Sequence, residues 1–90
     1  MAYLLICTDN ENSLDNRLKK RPDHIEYLKK FNEKLLLAGP IMNDVNEPMG
    51  SVIILDFESI KDVNNFIKND PYNEIKLFSD IKIKKFNRVL

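Results

Sequence analysis

The chain is poor in the residues that carry specialised chemistry. It has one cysteine, Cys7, and one histidine, His24, in 90 residues. A single cysteine excludes an internal disulfide, and no Cys/His spacing for a structural zinc site exists. Only two glycines, Gly39 and Gly50, are present. They supply no phosphate-cradling loop and no dinucleotide fingerprint. Net charge is absent as well: 14 basic residues balance 14 acidic ones. No overall field draws in nucleic acid or an anionic membrane. The basic run Lys82, Lys84, Lys85 and Arg88 is offset by acidic residues elsewhere. The apolar run from Tyr3 to Cys7 is too short to span a bilayer and lacks a basic leader. A lone thiol in an apolar run reads as inert core and fits a reducing compartment. The expectations are a cytoplasmic protein with no nucleic-acid partner, no membrane partner, and no metal or organic cofactor.

What is present is enough apolar material for one core. Hydrophobic residues make up 43% of the chain, and the length fits one domain over residues 1–90. A chain this small buries only roughly 60–65% of its unfolded surface, so a second copy would help to bury more. Residues 2–8 read as a strand ending in the turn Thr8-Asp9-Asn10, with apolar side chains on both faces. A short helical lead-in over Ser13–Leu18 precedes a main helix expected to start near Pro22. Its apolar stripe is Ile25, Leu28, Phe31 and Leu35. A strand over 36–42 follows, with Gly39-Pro40 as a bend suited to an edge position. After a loop from Asn43 to Gly50, a clear strand spans Ser51–Phe57. Ser59 and Asp62 resemble a capping box for a helix carrying Ile60, Val63, Phe66 and Ile67. Pro71 limits that helix, and a last strand covers 78–88, with a phase slip before Phe86 that suggests a bulge.

The order strand, helix, strand, strand, helix, strand is the ferredoxin-like plan: an α+β fold with both helices on one face of an antiparallel sheet. Strands 1 and 3 are apolar on both faces, so the open face calls for a cover. The expectation is a homodimer whose two sheets meet, closing toward an α+β barrel.

His24 and Asp70 are the residues with the most chemical potential. An imidazole changes charge near neutral pH, and a carboxylate can fix its tautomer and strengthen it as a base. The bland alternatives are a histidine at a helix mouth, where the dipole favours its neutral form, and an aspartate that caps the turn at Pro71. Arg17 and Arg21 have the geometry to hold a substrate carboxylate. Surface ion pairs with Asp15, Asp23 or Glu26 are the simpler reading for both. Ser51 either donates to a ligand or begins a strand. Gly39 and Pro40 either line a pocket or shape a turn. Tyr72 either lends a hydroxyl or packs. Phe31, Phe57, Phe66 and Phe86 read as core or interface.

Ser13-Leu14-Asp15-Asn16-Arg17-Leu18 and Arg21-Pro22-Asp23-His24 resemble the N-terminal half of the YciI-like (YCII-related) family. Leu37-Ala38-Gly39-Pro40, Gly50-Ser51 and Asp70-Pro71-Tyr72 resemble its later marks, in the right order. The resemblance runs across nearly the whole chain, although the loop between Pro40 and Gly50 is shorter than in some relatives. It implies a dimeric α+β barrel of ferredoxin-like protomers and a pocket with a His–Asp dyad at His24 and Asp70. Some members are similar to dehalogenating or lyase-type enzymes, and related folds include muconolactone isomerase-like proteins. The expected function is acid/base proton transfer on a small molecule. The alternative is a non-catalytic protein that binds a small metabolite.

Overall fold

Strand β1 (Ala2–Asp9) lies inside a four-stranded antiparallel sheet of order β2-β3-β1-β4. The other strands are β2 (Leu35–Met42), β3 (Pro48–Leu55) and β4 (Phe78–Phe86). Helices α1 (Leu14–Lys29), α2 (Ile60–Asn69) and the single turn α3 (Pro71–Glu74) complete the βαββαβ plan. This computed structural model describes all residues, 1–90. The α+β, ferredoxin-like reading of the sequence holds.

Period-two alternation sorts β1 into two faces. Tyr3, Leu5 and Cys7 are buried and pair in register with Leu55, Ile53 and Ser51 of β3. Leu28 of α1 and Val63 and Phe66 of α2 pack on this same face. Both long helices therefore cover one side of the sheet. Leu4 and Ile6 point to the other side, opposite Ile54 and Val52. All four are only half-buried, so β1 and β3 are apolar on both faces but deeply buried on one.

Several boundaries differ from those expected. The lead-in and the main helix are one continuous helix from Leu14 to Lys29, with Pro22 inside it. Pro22 is on the exposed side, where a carbonyl left without its N–H partner can meet water. Leu35 opens β2 instead of closing the helix, because a short 3-10 turn at Asn32–Lys34 intervenes. Strand β3 starts at Pro48 and ends at Leu55, so the loop before it is only residues 43–47. Strand β4 ends at Phe86, and its register with β1 is unbroken from Asp80 to Phe86. The irregularity is instead at Ser79, whose hydroxyl donates to the carbonyls of Thr8 and Asp9. Phe86 breaks the apolar parity because it faces the open side with Leu4 and Ile6. Ser59 does cap α2, accepting from the Asp62 N–H at 3.3 Å.

Candidate active site

The face of α1 turned toward the sheet carries Arg17, Arg21, His24 and Leu28, at the i, i+4, i+7, i+11 positions of one helical stripe. Arg17, His24 and Leu28 are buried. His24 therefore lies in the third turn, not at the helix mouth. The dipole argument for its neutral form lapses, since that effect fades within the first turn.

His24 is 7% exposed and Asp70 2%. The His24 Nδ1 and the Asp70 Oδ1 are 2.9 Å apart. Asp70 also caps α3: the same Oδ1 accepts from the Tyr72 backbone N–H at 2.9 Å. Capping and contact with His24 coexist in one carboxylate. Tyr72 follows in α3, and its ring stacks on the imidazole with centroids 3.9 Å apart and planes 14° apart. The packing role expected for Tyr72 is present. Its phenol pKa is raised by burial, against the lowering influence of the Arg17 and Arg21 charges.

Arg17 corrects a second expectation. It does not pair with Asp15, Asp23 or Glu26. It is buried and reaches back across the turn to Asp9 at the end of β1, with Nε to Oδ2 at 2.6 Å and Nη2 to Oδ1 at 2.9 Å. The same Nη2 donates to the Ser51 hydroxyl at 2.8 Å. Its guanidinium carbon also lies 4.7 Å from the centre of the Tyr72 ring. Ser51 lies inside β3, which begins at Pro48, so it does not open the strand, and its hydroxyl accepts from Arg17. Gly50 makes this approach possible. A Cβ there would lie 2.3 Å from the Cys7 carbonyl oxygen. Asp9 was missed as a partner because Thr8-Asp9-Asn10 reads as a plain turn. Arg21 makes no ion pair; Asp23 pairs instead with Lys20 at 3.2 Å.

Arg17, Arg21, His24, Gly39, Pro40, Ser51 and Tyr72 all line one cavity of about 430 Å³. Its apolar wall includes Leu18, Ile25, Leu28 and Ile53. Asp70 stands behind His24 and does not line the cavity. With Nδ1 turned to Asp70, the Nε2 nitrogen is the one left to meet a ligand. A second cleft of about 530 Å³ has an aromatic floor of Tyr27, Phe31, Phe57 and Phe66. Its charged rim groups, Lys34, Asp56, Glu58 and Asp62, are all exposed; its fixed titratable group is Tyr27, whose hydroxyl donates to the Phe66 carbonyl at 2.8 Å and whose pKa burial raises to about 12. Cys7 lines neither space, and burial followed by the Asp70 charge pushes its thiol up to about 12. No three His, Cys, Asp or Glu side chains converge on one point.

The chain is thus a ferredoxin-like α+β protein with a buried imidazole–carboxylate pair beside a cavity of mixed polarity. Comparison narrows this. Residues 1–87 match the YCII-related domain, and the chain belongs to that family. It is 32% identical over 97 aligned positions to protein YciI of Escherichia coli O6:H1, covering 99% of each chain. An uncharacterised Haemophilus influenzae protein matches to the same extent, 32% over 99% of each chain. Among solved structures it is similar to the 5-chloro-2-hydroxyhydroquinone dehydrochlorinase of Burkholderia phenoliruptrix, in complex with 2,5-dihydroxybenzoquinone. That likeness has a TM-score of 0.90 and 27% identity, over 97% of this chain and 94% of that one. A conserved Methanosarcina mazei protein shares the fold at TM-score 0.62 and 14% identity, over 97% of this chain and 94% of that one. No helix is long and apolar enough to cross a membrane.

Proposed function

We propose that the chain is an enzyme that moves a proton on a small organic molecule, in a lyase, dehalogenating or isomerase-type reaction. The observation that carries this is the 2.9 Å contact between His24 Nδ1 and Asp70 Oδ1 at the wall of the cavity. Asp70 is an acceptor only, so the neutral imidazole keeps its proton on Nδ1 and offers the Nε2 lone pair to the ligand. When Nε2 takes a proton, the imidazolium forms beside a carboxylate already in place. Its charge is balanced without reorganisation. Such general-base assistance is worth roughly 10²–10⁴-fold in rate. The Tyr72 ring covers one imidazole face and limits the rotation of His24, so the lone pair keeps one direction. Arg17 holds Tyr72 and Ser51 in turn, as a positioning residue.

The dehydrochlorinase similar to this chain supports elimination as the first chemistry to try. The test is conversion of 5-chloro-2-hydroxyhydroquinone and of a metabolite pool by the parent chain and by His24→Ala. Loss of at least 100-fold in the variant is expected for a confirmed substrate. Equal conversion by both would remove His24 from the reaction. Binding of a metabolite with no turnover would leave the non-catalytic alternative.

The functional unit is proposed to be a homodimer through the open sheet face. There Leu37, Ile54 and Leu4 form one row in register, beside Val52 and Ile6. Sedimentation at micromolar concentration should show a dimer, and Ile6→Lys should yield a monomer. A monomeric parent chain would contradict this.

A further inference from the structure

The cavity has an unusual balance of polar groups. None of its lining residues is acidic. The charge of Arg17 is neutralised by its two contacts to Asp9. Arg21, exposed at the mouth, is the one lining cation without an ionic partner. Tyr72 is the second anomaly. The residue is 1% exposed, yet its hydroxyl makes no hydrogen bond within the chain. No fully buried side-chain polar atom lacks a partner. The Tyr72 hydroxyl is therefore the part of that residue that reaches the cavity surface. A tyrosine buried to this degree normally pairs its hydroxyl. Here the pairing group has to come from whatever fills the cavity.

The demand is for an acceptor. The Tyr72 hydroxyl donates to no acceptor of the chain, and the Arg17 and Arg21 guanidinium groups whose charges act on it only donate. Leu18, Ile25, Leu28, Ala38, Met42 and Ile53 make the apolar part of the wall, which suits an apolar ligand body.

We propose that the cavity takes a small organic monoanion with an apolar body, its charged oxygen held between the Tyr72 hydroxyl and the Arg21 guanidinium. The chemistry is shared by a carboxylate and by an ionised phenol or enol. This deepens the acid/base reading and rests on it for the reaction, though not for binding. Held at Tyr72, the anion lies in the same cavity as His24, whose ring the tyrosine stacks on. Arg21 and Tyr72 thus set specificity by charge, while His24 acts on what they hold.

Two matched pairs of probes test this: benzoate with methyl benzoate, and 4-nitrophenolate with 4-nitroanisole. Titration calorimetry and amide shifts on the intact chain report binding. At least one anion should bind at least tenfold more tightly than its neutral partner. Which anion binds decides between carboxylate and phenolate. Tyr72→Phe keeps the ring that stacks on His24 and should weaken the anion about tenfold, as should Arg21→Gln. Neither change should affect the neutral probe. Thermal melts of both variants should match the parent, which separates lost binding from lost fold. The proposal is overturned by equal binding of anion and neutral partner, by unchanged affinity in both variants, or by no binding of either anion up to about 10 mM. The acid/base reading is judged apart, by turnover in His24→Ala. Its failure leaves the binding result untouched.

Discussion

Removing the Arg17 charge should cost more stability than removing any other polar group of the chain. Arg17 is 4% exposed and makes three hydrogen bonds at 2.6–2.9 Å, two of them to Asp9. In Arg17→Met the alkyl stem remains, but the Asp9 carboxylate stays buried with no cation beside it. Breaking a buried pair from one side costs about 3–5 kcal/mol. Part of the Tyr72 packing is also lost with the guanidinium over its ring. The assay is urea unfolding followed by circular dichroism. With a slope of ~1–2 kcal/mol/M for so small a chain, the midpoint should fall by roughly 1.5–5 M. If the single variant does not fold, the double variant Asp9→Leu/Arg17→Met still tests the reasoning. Replacing both charges by apolar groups removes the stranded carboxylate, and such swaps are often close to neutral. The double variant should lie within about 2 kcal/mol of the parent. The reasoning is refuted if Arg17→Met unfolds within about 1 kcal/mol of the parent, or if the double variant is no more stable than the single one.

Two further outcomes follow from the strands. Gly50→Ala places a Cβ against the Cys7 carbonyl at 2.3 Å, so β1 and β3 have to part there and carry Ser51 away from Arg17. A loss of about 2–4 kcal/mol by thermal melting is expected; a variant as stable as the parent would show that the strands yield freely. The Cys7 thiol is raised from 9.0 to about 12. The unfolded chain releases that proton first, so its stabilising effect is complete below about pH 9 and is lost as pH rises toward about 12. Urea midpoints of the parent should fall more steeply than those of Cys7→Ala between about pH 8 and 11. Parallel curves would deny that the thiol is held neutral.

The strands were the most legible part of the sequence, since runs such as Val52-Ile53-Ile54-Leu55 have few other uses. Their edges were not: Leu35 fits a helical stripe and a strand equally well, and the 3-10 turn before it has no apolar signature. The start of α1 was hidden for a different reason. Its first turns face the cavity with Arg17, Arg21 and His24, so the inward stripe is charged and its periodicity in apolar residues begins only at Ile25. Pro22 then looked like a beginning because a proline inside a helix is costly unless its side of the helix is exposed. The pairing of His24 with Asp70 was carried by the family resemblance: His24 is the single histidine, but nothing in the spacing picks Asp70 out of 14 acidic residues. Arg17 with Asp9 was not legible, because a buried ion pair and a surface one use the same letters. A hint was available in the spacing of Arg17, Arg21, His24 and Leu28, which places the first two on the same face as a core leucine.

One oxygen, Asp70 Oδ1, accepts from both His24 and the first turn of α3. The proposed chemistry and the architecture thus share an atom, and mutational change at this position cannot tune one without disturbing the other. The history open to such a residue is narrow: a lineage that loses the reaction gains nothing by discarding the carboxylate, so Asp70 is expected to outlast His24 in descendants that no longer use the site. For the experimenter the same asymmetry selects the inactive control. It should be made at His24, whose side chain caps no helix, and not at Asp70.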